Sequence, residues 1–314
     1  MKMLFLMDPL ETVDYLKDTT YAFMLGAKAR GHDTFYLPTG GITLDGNRSR
    51  FRATPVVPHD DPDHLFDVAP ATTLTDADVD VIFIRNNPPF DENYLMNTWL
   101  LEAVSDRVAI INDPAGIRGA NEKIWSMRYP DLMPSTCVTR SHDEYRAFLE
   151  SQEAIVAKPA DGFGGLGVFI VKQGDPNATV IFETLSHNAG RHIVLQALVP
   201  EASEGDKRIL ILDGEILGAV LRVQEGDDHR NNFFAGGQPK PADINDRDRE
   251  VVERLKPHLK AEGLHFVGID MLGDALIEVN VTSPTCLQEI NRITGERLEE
   301  KVVAYAEALA GSKA

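Results

Sequence analysis

Short apolar runs alternate with amphipathic stretches along the first third of the chain. Residues 3–7 (Met-Leu-Phe-Leu-Met), 34–37, 79–85 and 108–112 are apolar almost without a break. Strands with that pattern are covered on both faces. Between them, residues 19–30 and 94–104 repeat apolar positions at helical spacing, and Gly31 stops the first. Strand–helix–strand order of this kind predicts a doubly wound α/β domain, a parallel sheet with helices on both faces. Residues 38–75 are rich in Gly, Pro, His and Asp. Their periodicity is weak, and they are expected to be irregular.

The pattern changes after Asn112-Asp113-Pro114 and Asn121-Glu122-Lys123. Up to about residue 190 it predicts a smaller α+β unit, with a helix over 142–151, a strand over 154–158, a glycine loop and a strand over 168–171. From 193 onward the strands are expected to pair by hairpins. One runs from 209–212 through Asp213-Gly214 into 215–223, and another turns at Gly273-Asp274. Helices are predicted over 244–262 and 295–309. The expected divisions are 1–120, an N-terminal α/β domain; 121–192, a small central unit; and 193–314, an antiparallel core.

Composition narrows the function classes. With 314 residues, 43% of them hydrophobic and 25% charged, the chain can bury a sizeable core. No apolar run nears the ~20 residues of a membrane span. The first run is broken at Asp8-Pro9, too early for a signal peptide, and reads as a buried strand. Two distant cysteines, Cys137 and Cys286, fit neither a disulfide framework nor a metal spacing and suit the cytoplasm. A net charge of −18 argues against nucleic acid or an anionic membrane as partner. An anionic ligand must therefore be met by local groups of cations.

Such cations sit beside glycines. Lys158 ends a strand and Gly162, Gly164, Gly165 and Gly167 follow. Glycines let successive backbone N–H groups turn toward one anion. Neither the P-loop nor the dinucleotide pattern fits, because strands flank the loop; a plain hairpin is the alternative. Lys123 opens a new element. Arg208 and Arg222 lie on strands that the Asp213-Gly214 hairpin brings into one sheet, where planar forks can hold phosphate oxygens. Around the second hairpin, Glu278 and Asn280 share a face and Asp270 lies on the partner strand. That density of oxygen donors predicts a hard cation. The hydroxyls of Ser283 and Thr285 follow, suited to a substrate carboxylate or to a turn.

In this order, Asn121-Glu122-Lys123, Lys158-Pro159 with its glycine loop, Gly205-Asp206-Lys207-Arg208 and Glu278-Val279-Asn280-Val281-Thr282-Ser283-Pro284 resemble the ATP-grasp ligases. Met7-Asp8-Pro9, Lys17-Asp18-Thr19-Thr20, Pro88-Pro89-Phe90-Asp91 and residues 280–286 are similar to segments of the prokaryotic glutathione synthetases. The resemblance spans nearly the whole chain. It implies an ATP-grasp fold: an N-terminal doubly wound parallel-sheet domain, a small central lid and a C-terminal antiparallel core. It implies ATP-dependent ligation of γ-glutamylcysteine to glycine through an acyl phosphate, in a cytoplasmic homo-oligomer, a tetramer. The alternative is another ATP-grasp carboxylate–amine ligase acting on a related γ-glutamyl peptide or amino acid. By resemblance, Lys123, Lys158, Arg208 and the 162–167 loop meet ATP phosphates, and Gln196, Ala197, Leu198 and Val199 meet adenine. Asp270, Glu278 and Asn280 bind Mg²⁺, with Mn²⁺ as a substitute. Arg208, Arg222, Arg230 and Asn232 are catalytic, and Asp18, Arg85, Ser283 and Thr285 hold substrate. Two segments depart from the family's usual wording. Asn86-Asn87 stands for a Lys-Asp pair before Pro88-Pro89, and Phe233-Phe234 replaces small apolar residues in the 224–237 loop.

Overall fold

The computed structural model of the protein describes residues 1–224 and 236–313, and within them the chain forms three sheets. The first comprises β1 (Lys2–Leu6), β2 (Asp33–Leu37), β3 (Ile42–Asp45), β4 (Arg48–Pro58), β5 (Phe66–Val68), β6 (Thr72–Thr75), β7 (Val81–Ile84) and β8 (Ala109–Ile111). Its centre, β2-β1-β7-β8, is parallel. One face, including Met3, Phe5, Val81 and Phe83, packs with residues of α1 (Thr19–Ala29), α7 (Leu287–Thr294) and α8 (Leu298–Gly311). The opposite face, including Leu4, Leu6, Ile82 and Ile84, packs with residues of α2 (Glu92–Glu102) and α3 (Pro114–Gly119). Burial on both faces explains the unbroken apolar runs; each such side chain contributes about 1.5–3 kcal/mol.

Residues 38–75 differ from expectation. They hold β3 to β6, with β4 antiparallel to β2 and to β3, β5 and β6. Ser49, Phe51 and Ala53 are buried while Arg48, Arg50 and Arg52 are exposed, so this stretch carries a period of two.

The second sheet has the order β11-β10-β12-β9, every pair antiparallel. Its strands are β9 (Thr136–Thr139), β10 (Ala154–Pro159), β11 (Phe169–Lys172) and β12 (Ile193–Ala197). With α4 (His142–Ser151) and α5 (Ala178–Ser186) it forms its own core around Tyr145, Phe182 and Leu195. This corrects the division at 192/193. β12 does not open the C-terminal core but lies inside this sheet, because Leu195 and Ile193 complete its apolar face.

The third sheet runs β15-β14-β13-β16-β17. Its strands are β13 (Asp206–Leu212), β14 (Glu215–Val223), β15 (Gln238–Pro241), β16 (Phe266–Leu272) and β17 (Ala275–Asn280). The helix α6 (Asp246–Ala261) starts with a capping box between Asn245 and Asp248. Its Val251, Val252, Leu255 and Leu259 bury Ile209, Ile211, Val267 and Ile269 of the sheet. Asn112, just past β8, joins the first and third sheets. Its amide donates to the carbonyls of Phe266 and Val281, both at 2.8 Å, and accepts from Phe266 N–H at 2.6 Å. No helix among the described residues is long and apolar enough to cross a membrane.

Candidate active site

The alternation that buries Ile209, Ile269 and Val279 against α6 turns the residues between them to the opposite face of the third sheet. Arg208 pairs across strands with Asp270, and Asp270 with Glu278. Asp206 pairs with Arg222. These side chains line a cavity of about 330 Å³ whose wall also includes residues of the second sheet. Arg208 grips Asp270 through Nε and through Nη2, the latter at 2.9 Å. Arg222 holds Asp206 at 2.5 and 2.8 Å and reaches Asp270 at 3.1 Å. Burial disfavours the Asp270 carboxylate, yet Arg208 and Arg222 outweigh it and hold the group well below the usual carboxylate range. Burial wins at Asp206, whose carboxyl is pushed up against the pull of Arg222.

The second sheet supplies the lysine and the glycine loop. Lys158, at the end of β10, is buried, and desolvation pulls its ammonium down to about 8, with Glu278 opposing. The loop joins β10 to β11 as an antiparallel hairpin, with Ala157 opposite Phe169. Gly164 and Gly165 have φ of 62° and 75°, values glycine takes without strain. Lys123 donates to the Gly162 carbonyl and lies 3.9 Å from Glu278. Gly167 does not line the cavity, against expectation. A Cβ there would meet Leu185 and Pro159 at 3.3 Å, so the residue packs behind the loop. Residues 196–199, at and beyond the end of β12, line the same cavity beside apolar Val156, Ile170, Leu272 and Ile277.

The charges on the wall decide what it can hold. Among the described residues, Lys123, Lys158, Arg208 and Arg222 stand against Glu122, Asp206, Asp270 and Glu278. Four cations against four carboxylates leave no excess positive charge for a polyphosphate, and a divalent cation bound beside it would supply that charge. The donor set fits one. Asp270, Glu278 and Asn280 carry oxygens on adjacent strands, and the Asn280 Nδ2 donates to Asp270 at 3.3 Å, which holds the two side chains together.

A second cavity of about 280 Å³ borders the first and shares Asn87, Ser283 and Thr285 with it. Asp18 and Arg85 line it. The Arg85 guanidinium donates to Thr20 Oγ1 at 3.1 Å and to the Pro284 carbonyl at 2.8 Å, and it lies 5.4 and 5.6 Å from the rings of Phe23 and Phe266. Desolvation lowers its pKa to about 10, so it stays charged at neutral pH. Asp18 caps α1 by accepting from Tyr21 N–H at 2.8 Å, and burial raises its carboxyl. The Asn86-Asn87 departure now divides. Asn86 is buried and donates to Thr39 at 3.1 Å, whereas Asn87 lies where the two cavities meet. Arg230, Asn232, Phe233 and Phe234 lie outside the described residues.

Glu122 also lines the larger cavity, a role its sequence context does not announce. One of its oxygens accepts from Val281 N–H, Thr282 N–H and Thr282 Oγ1 at 2.8, 3.0 and 2.9 Å. Its carbonyl accepts from Val279 N–H at 2.9 Å. Glu122 thus fixes the exit of β17, the strand carrying Glu278 and Asn280, beside Lys123. The only signal was its place in Asn121-Glu122-Lys123.

Comparison with known proteins identifies the family. Residues 1–118 match the profile of the prokaryotic glutathione synthetase N-terminal domain, and residues 122–295 that of its ATP-grasp domain. The chain belongs to the prokaryotic glutathione synthetase family. It is 39% identical over 286 residues to the glutathione synthetase of Salmonella typhimurium, covering 90% of this chain and 91% of that protein. With the glutathione synthetase of Vibrio cholerae it shares 37% identity over 300 residues, covering 93% and 94%. The crystal structure of D-cycloserine synthetase DcsG superposes with a TM-score of 0.67 over 99% of this chain and all of that one; at 15% identity it speaks for the fold alone. As a prokaryotic glutathione synthetase by family, the chain has the ATP-grasp fold and is an ATP-dependent ligase of glutathione synthesis. Its substrates are small molecules, and another carboxylate–amine ligation is not favoured.

Proposed function

We propose that the chain joins γ-glutamylcysteine to glycine at the expense of ATP, with the nucleotide in the larger cavity and the peptide in the smaller. The observation that carries this assignment is the shared rim of Asn87, Ser283 and Thr285. A carboxylate lying there can reach a γ-phosphoryl group in the larger cavity while the rest of the peptide stays beside Arg85 and Asp18. Lys123, Lys158 and the backbone of residues 162–165 meet the phosphates, and residues 196–199 meet adenine.

The peptide's cysteinyl carboxylate attacks the γ-phosphorus, and ADP leaves. The glycine amine then attacks the acyl phosphate carbon, and phosphate leaves. Positioning and charge neutralisation supply most of the catalysis in such a transfer. Lys158 and Lys123 offset the phosphate charge. The Arg208–Asp270 and Arg222–Asp206 pairs hold two guanidinium planes at the cavity floor. Asp270, Glu278 and Asn280 would hold Mg²⁺, with Mn²⁺ as a substitute; when bound, the ion neutralises charge on the polyphosphate. The hairpin loop over Lys158 excludes water from the acyl phosphate. Roles for Arg230 and Asn232 at the acyl phosphate rest on the sequence resemblance. So do the homotetrameric state and the cytoplasmic location; free, distant Cys137 and Cys286 are consistent with that location.

Oxygen tracing tests the route. With ¹⁸O in the cysteinyl carboxylate, each phosphate released should carry one labelled oxygen. Label confined to glutathione would contradict the acyl-phosphate step.

A further inference from the structure

Away from both cavities, two histidines and a carboxylate converge at the end of β4. His59 follows β4 directly, Asp67 is the central residue of β5, and His64 lies in the connection between them. His59 Nε2 is 2.8 Å from one oxygen of Asp67, and His64 Nε2 is 2.8 Å from the other. The two ring centroids are 5.0 Å apart. One ligand atom from each residue lies within 4.8 Å of the others.

The backbone beneath this cluster is well tied. Pro58 pairs with Phe66 and Val57 with Asp67 in the β4–β5 ladder. His59 N–H donates to the Leu65 carbonyl at 2.9 Å, and His64 N–H to the Asp61 carbonyl at 3.2 Å. Tyr21 of α1 donates its hydroxyl to the His59 carbonyl. Asp60, Asp61 and Asp63 lie between the two histidines in sequence, and Asp60 accepts from the Tyr15 hydroxyl at 2.7 Å. An exposed carboxylate needs one histidine at most for an ion pair, and such a pair contributes little. Here two imidazoles direct their Nε2 atoms at the two oxygens of one carboxylate, so three candidate ligands share one small patch.

We propose that His59, His64 and Asp67 form a binding site for a divalent transition-metal ion of the zinc class, separate from the nucleotide cavity. Two imidazole nitrogens and one carboxylate oxygen suit Zn²⁺, Ni²⁺ or Cu²⁺, whereas Mg²⁺ takes oxygen donors and water. Donor atoms around tetrahedral zinc lie roughly 3.3 Å apart. The Nε2–Asp67 oxygen distances of 2.8 Å must therefore open slightly and the widest separation, at most 4.8 Å, must close, both within reach of side-chain rotation. Each ring binds as neutral imidazole with its proton on Nδ1, so its Nε2 lone pair replaces the present hydrogen bond to Asp67. Three protein ligands leave a position for water on the exposed side.

The test is a calorimetric titration of tag-free full-length protein with Zn²⁺ in excess Mg²⁺, together with ¹⁵N–¹H spectra of the histidine side chains. Wild type should bind Zn²⁺ with the His59 and His64 Nε2 signals shifting and those of His32 and His265 unmoved. Loss of an outer-shell partner of a metal ligand already costs about 10–100-fold, so His64→Gln and Asp67→Asn should each weaken binding by more than about tenfold. Both positions are exposed, and circular dichroism confirms that the variants fold. Equal Zn²⁺ affinity in wild type and both variants, shifts confined to other histidines, or no Zn²⁺ binding would each overturn the proposal.

Discussion

Asp270 is the residue on which the charges of the cleft balance. Arg208 and Arg222 both lean on it, and Glu278 lies directly across the strand pair. Removing Asp270 would leave two buried guanidinium groups short of a partner, so loss of activity there would be mixed with loss of structure. Glu278 is the cleaner probe, being less buried and only 3.9 Å from Lys123. Glu278→Ala should lower kcat by about 10²–10³-fold, with ATP still bound in a fluorescence titration. Unchanged kcat would remove Glu278 from the metal site. Arg85 tests the second cavity. Its fork reaches Thr20 and the Pro284 carbonyl at once, a geometry lysine cannot copy. Arg85→Lys should raise KM for the peptide by about tenfold or more while KM for ATP stays put, read from initial rates. A matched rise in both constants would argue that Arg85 supports the fold rather than the substrate.

At the scale of elements, the exit of β17 depends on one side chain from a distant part of the chain. Glu122→Ala should cost about 1–3 kcal/mol in denaturant unfolding, because the N–H groups of Val281 and Thr282 lose their acceptor. Glu122→Gln, which keeps an oxygen, should restore most of that stability. The docking of α8 is pH-dependent in a defined direction. Hydrogen bonds from Arg30 and then His32 hold the Glu307 carboxyl down to about 2, below its ordinary 4.5. Its contribution is therefore complete above pH 4.5 and lost as pH falls toward 2. The side chain is partly solvated, so the effect is at most about 1 kcal/mol. The melting temperatures of wild type and Glu307→Gln should differ at pH 7 and converge as pH falls to about 2. These elements also show what the sequence could reveal. β1 and β7 were legible because both faces are buried, and α1 because Gly31 ends it. β4 was hidden by its arginines, although Ser49, Phe51 and Ala53 mark the inner face. The hairpins of the third sheet were legible because their turns are local. β12 was misplaced because nothing in Ile193–Ala197 says which neighbours it will pair with. Glu122 was passed over because its partners lie 159 and 160 residues away.

At the scale of the molecule, the three sheets assemble one ligand path. The first sheet brings Arg85 and Asn87 to it, the second Lys158 and the glycine loop, and the third the carboxylates. Asn112 joins the first and third sheets through Phe266 and Val281, at the open end of the hairpin bearing Asp270 and Glu278. The family and the fold class were readable from motif order. What reaches the rim between the cavities was not, because it depends on how three separated segments meet at Asn87, Ser283 and Thr285. Which substrates meet at that rim decides what the chain makes. Phosphate release from Mg²⁺·ATP, measured across a panel of γ-glutamyl donors and acceptor amines, tests it most directly. Release should require γ-glutamylcysteine and glycine together and fall to background when either is left out. Release with a different acid–amine pair, and none with these two, would contradict it.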